Sequence, residues 1–141
     1  MIVPAGFGRE LLADEGDRAR AWLTALPSLV ESYLERWSLT EDGPVLHGYV
    51  AVVLPVRRPD GTPAALKVGW PHEEAEHEAL ALRIWDGDGA VQLLDADEPG
   101  GALLLERLDA TTSLRAVDVW TAAEVAGGLL RRLAVPAPPG L

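Results

Sequence analysis

The order of apolar and polar residues along the chain predicts a helical segment followed by a region of strands. Residues 1–15 lack a clear period, so an irregular N-terminal stretch is expected there. Residues 17–26 have helical spacing, and Pro27 suits the first turn of a second helix. Residues 1–37 are therefore predicted to form a helical preface that lies on the domain behind it.

The middle of the chain predicts strands with one helix between them. Short connections favour antiparallel pairing over crossover units. The predicted elements are strands over 45–56 with a bend at Gly48, a strand over 64–70 after the hairpin signal Asp60-Gly61, a helix over 71–85, and strands over 90–94 and 102–107. Residues 38–107 thus predict an α+β fold, with an antiparallel sheet of about five strands and one packed helix.

The last part of the chain predicts a further helix over residues 113–133, with Thr121 and Glu124 arranged as in a capping box near its start. One stripe of this helix is apolar, and none of the preceding predicted elements has an obvious apolar face left to pack against it. A Pro-rich sequence, PAPPGL, follows the helix. Residues 108–141 are expected to be a hinge, a helix and a junction to another lobe.

Composition narrows the class of protein. A chain of 141 residues is expected to form one domain, or one lobe of something larger. Its net charge of −10 argues against a nucleic-acid partner, and zero cysteines exclude disulfides and thiolate metal sites. No apolar run approaches the length of a membrane span, and the N-terminus does not read as a signal peptide. The expectation is a cytoplasmic protein without a membrane partner.

Lys67 stands out because it is the only lysine beside eleven arginines. An ammonium is a compact point charge, which a planar guanidinium does not replace. Alternation in the predicted strand puts Ala65, Lys67 and Gly69 on one face. A flat ligand could lie against these small residues while its anionic end meets the lysine; the alternative is an edge-strand lysine that discourages aggregation.

Glu78 is the predicted partner of Lys67. At 100° per residue it lies in the middle of the apolar stripe of the helix predicted over 71–85, and a buried carboxylate requires a cation or hydrogen-bond donors. Glu74 shares the stripe and is the weaker candidate. The alternative is that Glu78 lies at the edge of the stripe and is solvated.

Two histidines near this helix invite comparison with a zinc motif, and the comparison fails. Zinc-binding helices carry histidines four residues apart, whereas His72 and His77 are five apart and diverge by about 140°. No metal site is therefore predicted.

Taken in order, these segments resemble the N-terminal lobe of the aminoglycoside and hydroxyurea antibiotic resistance kinases, a bacterial family with a protein-kinase-like fold. The resemblance is strongest in HGYVAVVLPVRRPDGTPAALKVGWPHEEAEHEALALRIWDGDGAVQLLDAD, GALLLERLDATTSL and LLRRLAVPAPPGL. The preface AWLTALPSLVESYLERWSLT is similar as well. The resemblance implies an ATP-dependent phosphotransferase that acts on a small-molecule antibiotic.

The resemblance also implies roles for the residues of the predicted strand and helix. Lys67, in A-A-L-K-V, matches the lysine that holds the α and β phosphates of ATP. Glu78, in H-E-A-L-A-L, matches the glutamate that steadies this lysine. Ala65 matches the small residue over the adenine ring.

Two further segments are assigned by resemblance alone. In the hinge-like sequence L-E-R-L, the carbonyl of Glu106 would accept from adenine and the N–H of Leu108 would donate to it, while the side chains there are incidental. The turn from His47 through Gly48 to Ala51 would cover the phosphates. It lacks the several glycines of protein kinases.

The catalytic residues implied by the family are absent from this chain. A kinase uses a catalytic Asp, an Asn and a metal-binding Asp in its C-terminal lobe, whereas this chain has only Asp109 and Asp118 as aspartates after the hinge, and no Asn. The chain is therefore expected to be truncated and inactive alone, with Mg²⁺ bound only in the intact enzyme. The alternative is a non-catalytic module that dimerises through its last helix.

Overall fold

The structure, a computed structural model, describes residues 1–140 except for the side chain of Glu74. It has the predicted α+β architecture. The helices are α1 (Ala5–Glu15), α2 (Asp17–Arg36), α3 (Glu78–Trp85) and α4 (Val119–Leu133), and the strands are β1 (Thr40–Glu41), β2 (Leu46–His47), β3 (Ala51–Arg57), β4 (Pro63–Gly69), β5 (Leu93–Asp97) and β6 (Ala102–Glu106). None of the helices in residues 1–140 combines the length and the hydropathy that crossing a bilayer requires.

The sheet is antiparallel, with the order β1-β3-β4-β6-β5, and β2 also pairs with β3. The described residues thus form six strands where about five were predicted, because the short β1 adds one pairing at the edge. The predicted bend at Gly48 separates β2 from β3. Strand β5 begins and ends later than predicted, since residues expected to form a turn pair with β6 instead.

Helices α1 and α2 contribute to the main core on one face of the sheet. The prediction of an irregular stretch over residues 1–15 is wrong, because α1 forms there and buries Phe7 and Leu11 completely or nearly so. The largest fully buried side chains of this core are Phe7, Leu11, Leu26, Val30, Val52, Val56, Leu66 and Val68. The preface and the sheet therefore share one core.

Pro27 does not begin a second helix. It lies inside the continuous helix α2, although proline removes one backbone hydrogen bond and disturbs the preceding turn. Buried residues before and after it, including Leu26 and Val30, fix both halves of α2 against the sheet. Tertiary packing therefore overrides the local signal.

Tyr33 fastens α2 to the far edge of the sheet. Its hydroxyl donates a hydrogen bond of 3.0 Å to Asp97 Oδ2 at the end of β5, and Arg36 forms an ion pair of 2.5 Å with the same oxygen. The turn after β5 accommodates this contact because Gly100 has no side chain; a Cβ there would overlap the Tyr33 hydroxyl. Gly101, with φ of +70°, passes close to the backbone of β4.

Because the Tyr33 side chain is buried, we expect the protein to lose stability at high pH. Burial, and then the hydrogen bond to Asp97, raise the pKa of Tyr33 from 10.0 to about 12. The stabilisation is thus complete below pH 10 and is lost as the pH rises from 10 to 12, by at most about 3 kcal/mol at 1.36 kcal/mol per pKa unit. We expect Tyr33→Phe to remove this pH dependence.

Urea unfolding of the wild type and Tyr33→Phe at pH 8 and near pH 12 would measure this effect. Because all other residues are the same in both proteins, the comparison isolates Tyr33. We expect the stability advantage of the wild type to shrink at the higher pH. A difference between the two proteins that is the same at both pH values would contradict the prediction.

Helix α4 lies apart from the main core. Its N-cap is Asp118, whose carboxylate accepts from the backbone N–H groups of Trp120 and Thr121, so the predicted capping box of Thr121 and Glu124 is wrong. Asp118 precedes Thr121 by one turn, and its carboxylate accepts directly from the first N–H groups of the helix. The apolar side chains Val119, Trp120 and Leu130 are exposed. Dimerisation through this helix stays a prediction.

Candidate functional site

Strand β4 has the two faces that alternation predicts. Ala64, Leu66 and Val68 are fully buried in the main core. Lys67 projects from the opposite face, between the small residues Ala65 and Gly69 of the same strand, and its register partners are on β3 and β6. The lysine thus lies on a central strand, which excludes the alternative of an edge-strand lysine.

The Lys67 ammonium donates a hydrogen bond to Oε1 of Glu78, the first residue of α3, so the predicted ion pair is present. The side chains are 28% and 33% exposed, which leaves the pair accessible from solvent. The side chain of Glu74, the weaker candidate, lies outside the described residues. The structure therefore brings together one cation and one carboxylate at a partly open position.

Glu78 lies at the border of the buried stripe rather than in its middle. Residues 73–77 form a 3-10 helix, and α3 begins only at Glu78, where the prediction had one helix from residue 71. The change of helix type alters the rotation per residue, so a single 100° wheel misplaces the stripe. The residues that α3 buries are Ala79 and Leu82.

A cavity of about 480 Å³ opens beside the ion pair. This volume falls within the range of roughly 300–1,000 Å³ found for ligand pockets. Its walls come from β3, β4, β6, α3 and the turn before β3, and include Val50, Lys67, Gly69, Glu78, Trp85 and Leu103. Ala65 instead packs against the second apolar cluster, in which α3 contacts the sheet.

The turn between β2 and β3 reaches this cavity with its second half. The Gly48 N–H donates to the Ala51 carbonyl at 2.9 Å, and Val50 and Ala51 line the cavity. His47 does not face Lys67: its ring packs on Phe7, with centroids 5.6 Å apart, on the face covered by α1. The structure thus separates the His47 side chain from Lys67 and Glu78.

The hinge-like segment follows β6. Glu106 forms two hydrogen bonds with Gln92. Its N–H donates to the Gln92 carbonyl at 3.0 Å, and its carboxylate accepts from the Gln92 backbone N–H at 2.9 Å. Leu108 is 63% exposed, and among the described residues its N–H has no backbone hydrogen-bond partner. Neither Glu106 nor Leu108 lines the cavity beside Lys67.

Arg107, between these two residues, has a structural role that sequence reasoning missed. Its guanidinium donates to the carbonyls of Ala64 and Val56 and to Asp42 Oδ2, the last at 2.6 Å. Arg57 pairs with the other Asp42 oxygen at 3.1 Å. The hydrogen bond from Arg107 lowers the pKa of Asp42. No local pattern joins Arg107 to Asp42, since 65 residues separate them.

The aspartates after the hinge are occupied by local hydrogen bonds. Asp109 accepts hydrogen bonds from Thr111 and Thr112, and these bonds lower the pKa of Asp109 to about 2. Asp118 caps α4, and its pKa is lowered mainly by the hydrogen bond from Thr121. A carboxylate with a pKa this low is a poor proton acceptor near neutral pH. Asp109 is therefore poorly suited to be a general base, and Asp118 is engaged as the N-cap of α4.

The described residues hold no group of three or more His, Asp or Glu side chains that could bind a metal ion. The Nδ1 atom of His72 instead lies 2.7 Å from the Trp70 carbonyl oxygen, and His72 and His77 both line the cavity beside Lys67. The two rings are thus near the site without forming a metal centre.

Comparison with known proteins gives a family match and several relatives. Residues 36–141 match the aminoglycoside/hydroxyurea antibiotic resistance kinases. The chain belongs to this family. It is 48% identical over 141 residues to a streptomycin 6-kinase of Streptomyces griseus, and 48% identical over 143 residues to a hydroxyurea phosphotransferase of Kitasatospora aureofaciens. Each alignment covers 99% of this chain.

A second streptomycin 6-kinase, from Streptomyces glaucescens, is 50% identical over 128 residues. The alignments cover 46%, 42% and 42% of these three relatives, so the chain spans less than half of the length of each of them. No solved structure matches the chain significantly.

Proposed function

We propose that the chain is the ATP-binding part of a phosphotransferase that transfers the γ-phosphate of ATP to a hydroxyl group of a small-molecule antibiotic. The observation that carries the proposal is the Lys67–Glu78 ion pair at the cavity between α3 and the sheet. The acceptor class is taken from relatives named streptomycin 6-kinase and hydroxyurea phosphotransferase. The proposal assigns the reaction to the cytoplasm, where ATP is supplied.

Lys67 would neutralise phosphate oxygens in this proposal. An ammonium donates three hydrogen bonds and carries a point charge, which suits a polyphosphate that bends past it. Glu78 restricts the lysine side chain before the nucleotide arrives, so less rotamer entropy is lost on binding. The small side chains beside Lys67 leave room for the phosphates to approach the sheet.

The base would lie toward the hinge. The Glu106 carbonyl and the Leu108 N–H are the backbone groups assigned to adenine, and Ala65 is the small residue assigned to the ring. Support comes from the exposure of Leu108 and from the unpaired state of its N–H among the described residues. The Gly48 turn would cover the phosphates with its backbone, while the His47 side chain takes no part.

The chain alone is proposed to bind ATP without transferring phosphate. Asp109 accepts hydrogen bonds within its own turn, and Asp118 caps α4. The described residues offer no carboxylate cluster suited to Mg²⁺. The chemistry of proton removal from the acceptor would therefore need residues other than those described.

Isothermal titration of ATP into the 141-residue chain tests the proposal. We expect saturable binding, with weaker binding of AMP because it lacks the outer phosphates. Inorganic tripolyphosphate would also bind more weakly, because it lacks the base. With a net charge of −10 the chain repels anions in general, so saturable ATP binding requires a local cation. No saturation at millimolar ATP would contradict the proposal.

A further inference from the structure

Helix α3 is held to the sheet by few buried side chains. It has eight residues, and those it buries are the small Ala79 and the leucine Leu82. A helix of this length is not stable on its own. The position of α3, and with it the position of Glu78, therefore depends on side-chain contacts along the helix.

Two of these contacts lie at the sheet. Glu78 accepts from Lys67 at the start of α3, and Arg83 pairs with Glu98, in the turn after β5, at 2.6 Å. The Arg83 pair is about half exposed on both sides, and pairs of that kind contribute little. The Arg83–Glu98 pair alone therefore does little to hold the C-terminal end of α3 in place.

Trp85 restrains this end of α3. Its indole N–H donates a hydrogen bond of 3.0 Å to the backbone carbonyl of Leu133, the last residue of α4. Trp85 follows Glu78 by seven residues, which puts the two within about 20° on the helix surface. Both side chains line the cavity beside Lys67.

The chain after α4 continues along the outer side of α3. Leu80 and Ile84 form a groove of about 190 Å³ with Val135, Pro136 and Pro138. Arg132, at the end of α4, pairs with Asp88 in the loop after α3 at 2.6 Å. The rest of α4 buries no residue, so its contact with α3 is concentrated in the last turn and the Pro-rich segment.

We propose that Trp85 is a positioning residue for the Lys67–Glu78 pair. By bonding Leu133 it fixes the C-terminal end of α3, and the rigid helix carries this restraint over two turns to Glu78. The inference rests on the proposed function, because it assigns Trp85 an effect on nucleotide affinity. In this proposal Trp85 affects nucleotide binding through Glu78 and not by a contact with phosphate.

Titration of ATP into Trp85→Phe tests the inference, because phenylalanine keeps an aromatic ring and removes the N–H donor. We expect an affinity about fivefold lower, equivalent to the loss of one net hydrogen bond. In a Glu78→Gln background the same substitution should cause no further loss. The control is Trp120→Phe, since Trp120 is 79% exposed on α4 and should leave the affinity unchanged.

Hydrogen exchange keeps the test independent of ATP. Trp85→Phe should speed amide exchange in α3 while exchange in β3 and β4 stays slow, which also shows that the variant is folded. Failure of the wild type to bind ATP would contradict the proposed function alone. Unchanged exchange in α3, or an affinity loss of equal size with and without Glu78, would overturn the role of Trp85.

Discussion

Lys67→Met is expected to weaken ATP binding by about 10- to 100-fold, the effect of losing one or two hydrogen bonds from a charged donor. Methionine keeps an unbranched apolar stem and removes only the ammonium. Because β4 is central and its other face is fully buried, the stem has a fixed direction toward the cavity. The ammonium is therefore the chemical group that the variant tests.

The fold should survive this substitution. The Lys67–Glu78 pair is about a third exposed on each side, so water still reaches the carboxylate that Lys67→Met leaves behind. We therefore expect a loss of stability well below that caused by breaking a fully buried pair. A melting temperature close to that of the wild type would show that a loss of binding is not a loss of structure.

Arg18→Met is the matched control for Lys67→Met. Arg18 lies on the exposed side of α2, and its replacement changes the net charge of the chain by the same amount. Calorimetric titration with ATP should give a wild-type affinity for Arg18→Met and a much lower affinity for Lys67→Met. Equal affinities in the two variants would show that nucleotide binding does not depend on the lysine.

The part of the site that local periodicity encodes could be predicted from the sequence. Alternation in a strand fixes which side chains share a face, so the direction of Lys67 followed from its neighbours alone. The pairing with Glu78 followed from a different argument: a carboxylate on an apolar helix stripe requires a cation, and Lys67 is the only lysine and lies on the adjoining strand. The prediction of where Glu78 lies around the helix was less accurate. The 3-10 segment before α3 has a different rotation per residue, which shifts the buried stripe.

Contacts between distant segments could not be predicted. Arg107 joins Asp42, and Trp85 joins Leu133, across 65 and 48 residues. These bonds depend on tertiary placement, which no periodic pattern carries. Leu80 is a similar case. At 100° per residue it lies away from the predicted apolar stripe, and in the structure it lines a groove with the Pro-rich segment after α4.

Helix α1 was missed for a related reason. Its sequence contains two glycines, which lower helix propensity by about 1 kcal/mol each relative to alanine. What stabilises the helix is the burial of Phe7 between α2 and β2. Its ring packs on Trp22 and His47, with centroids 6.2 Å and 5.6 Å away.

Phe7→Ala is consequently expected to lower the free energy of unfolding by about 3–5 kcal/mol, the usual loss when a buried phenylalanine is truncated to alanine. The side chain is 0% exposed, so the change leaves a cavity where α1, α2 and β2 meet. Ile2→Ala is the control near the same end of the chain, because Ile2 is 87% exposed and its loss should change stability by less than about 0.5 kcal/mol.

Urea unfolding followed by circular dichroism would measure both variants. If α1 belongs to the same cooperative unit as the sheet, Phe7→Ala shifts a single transition to lower urea and leaves its slope unchanged. If α1 unfolds separately, the main transition stays in place and only the helical signal at low urea falls. The second result would contradict the shared core, and it would leave the sheet, α3 and the Lys67–Glu78 pair as a unit that does not depend on the first helix.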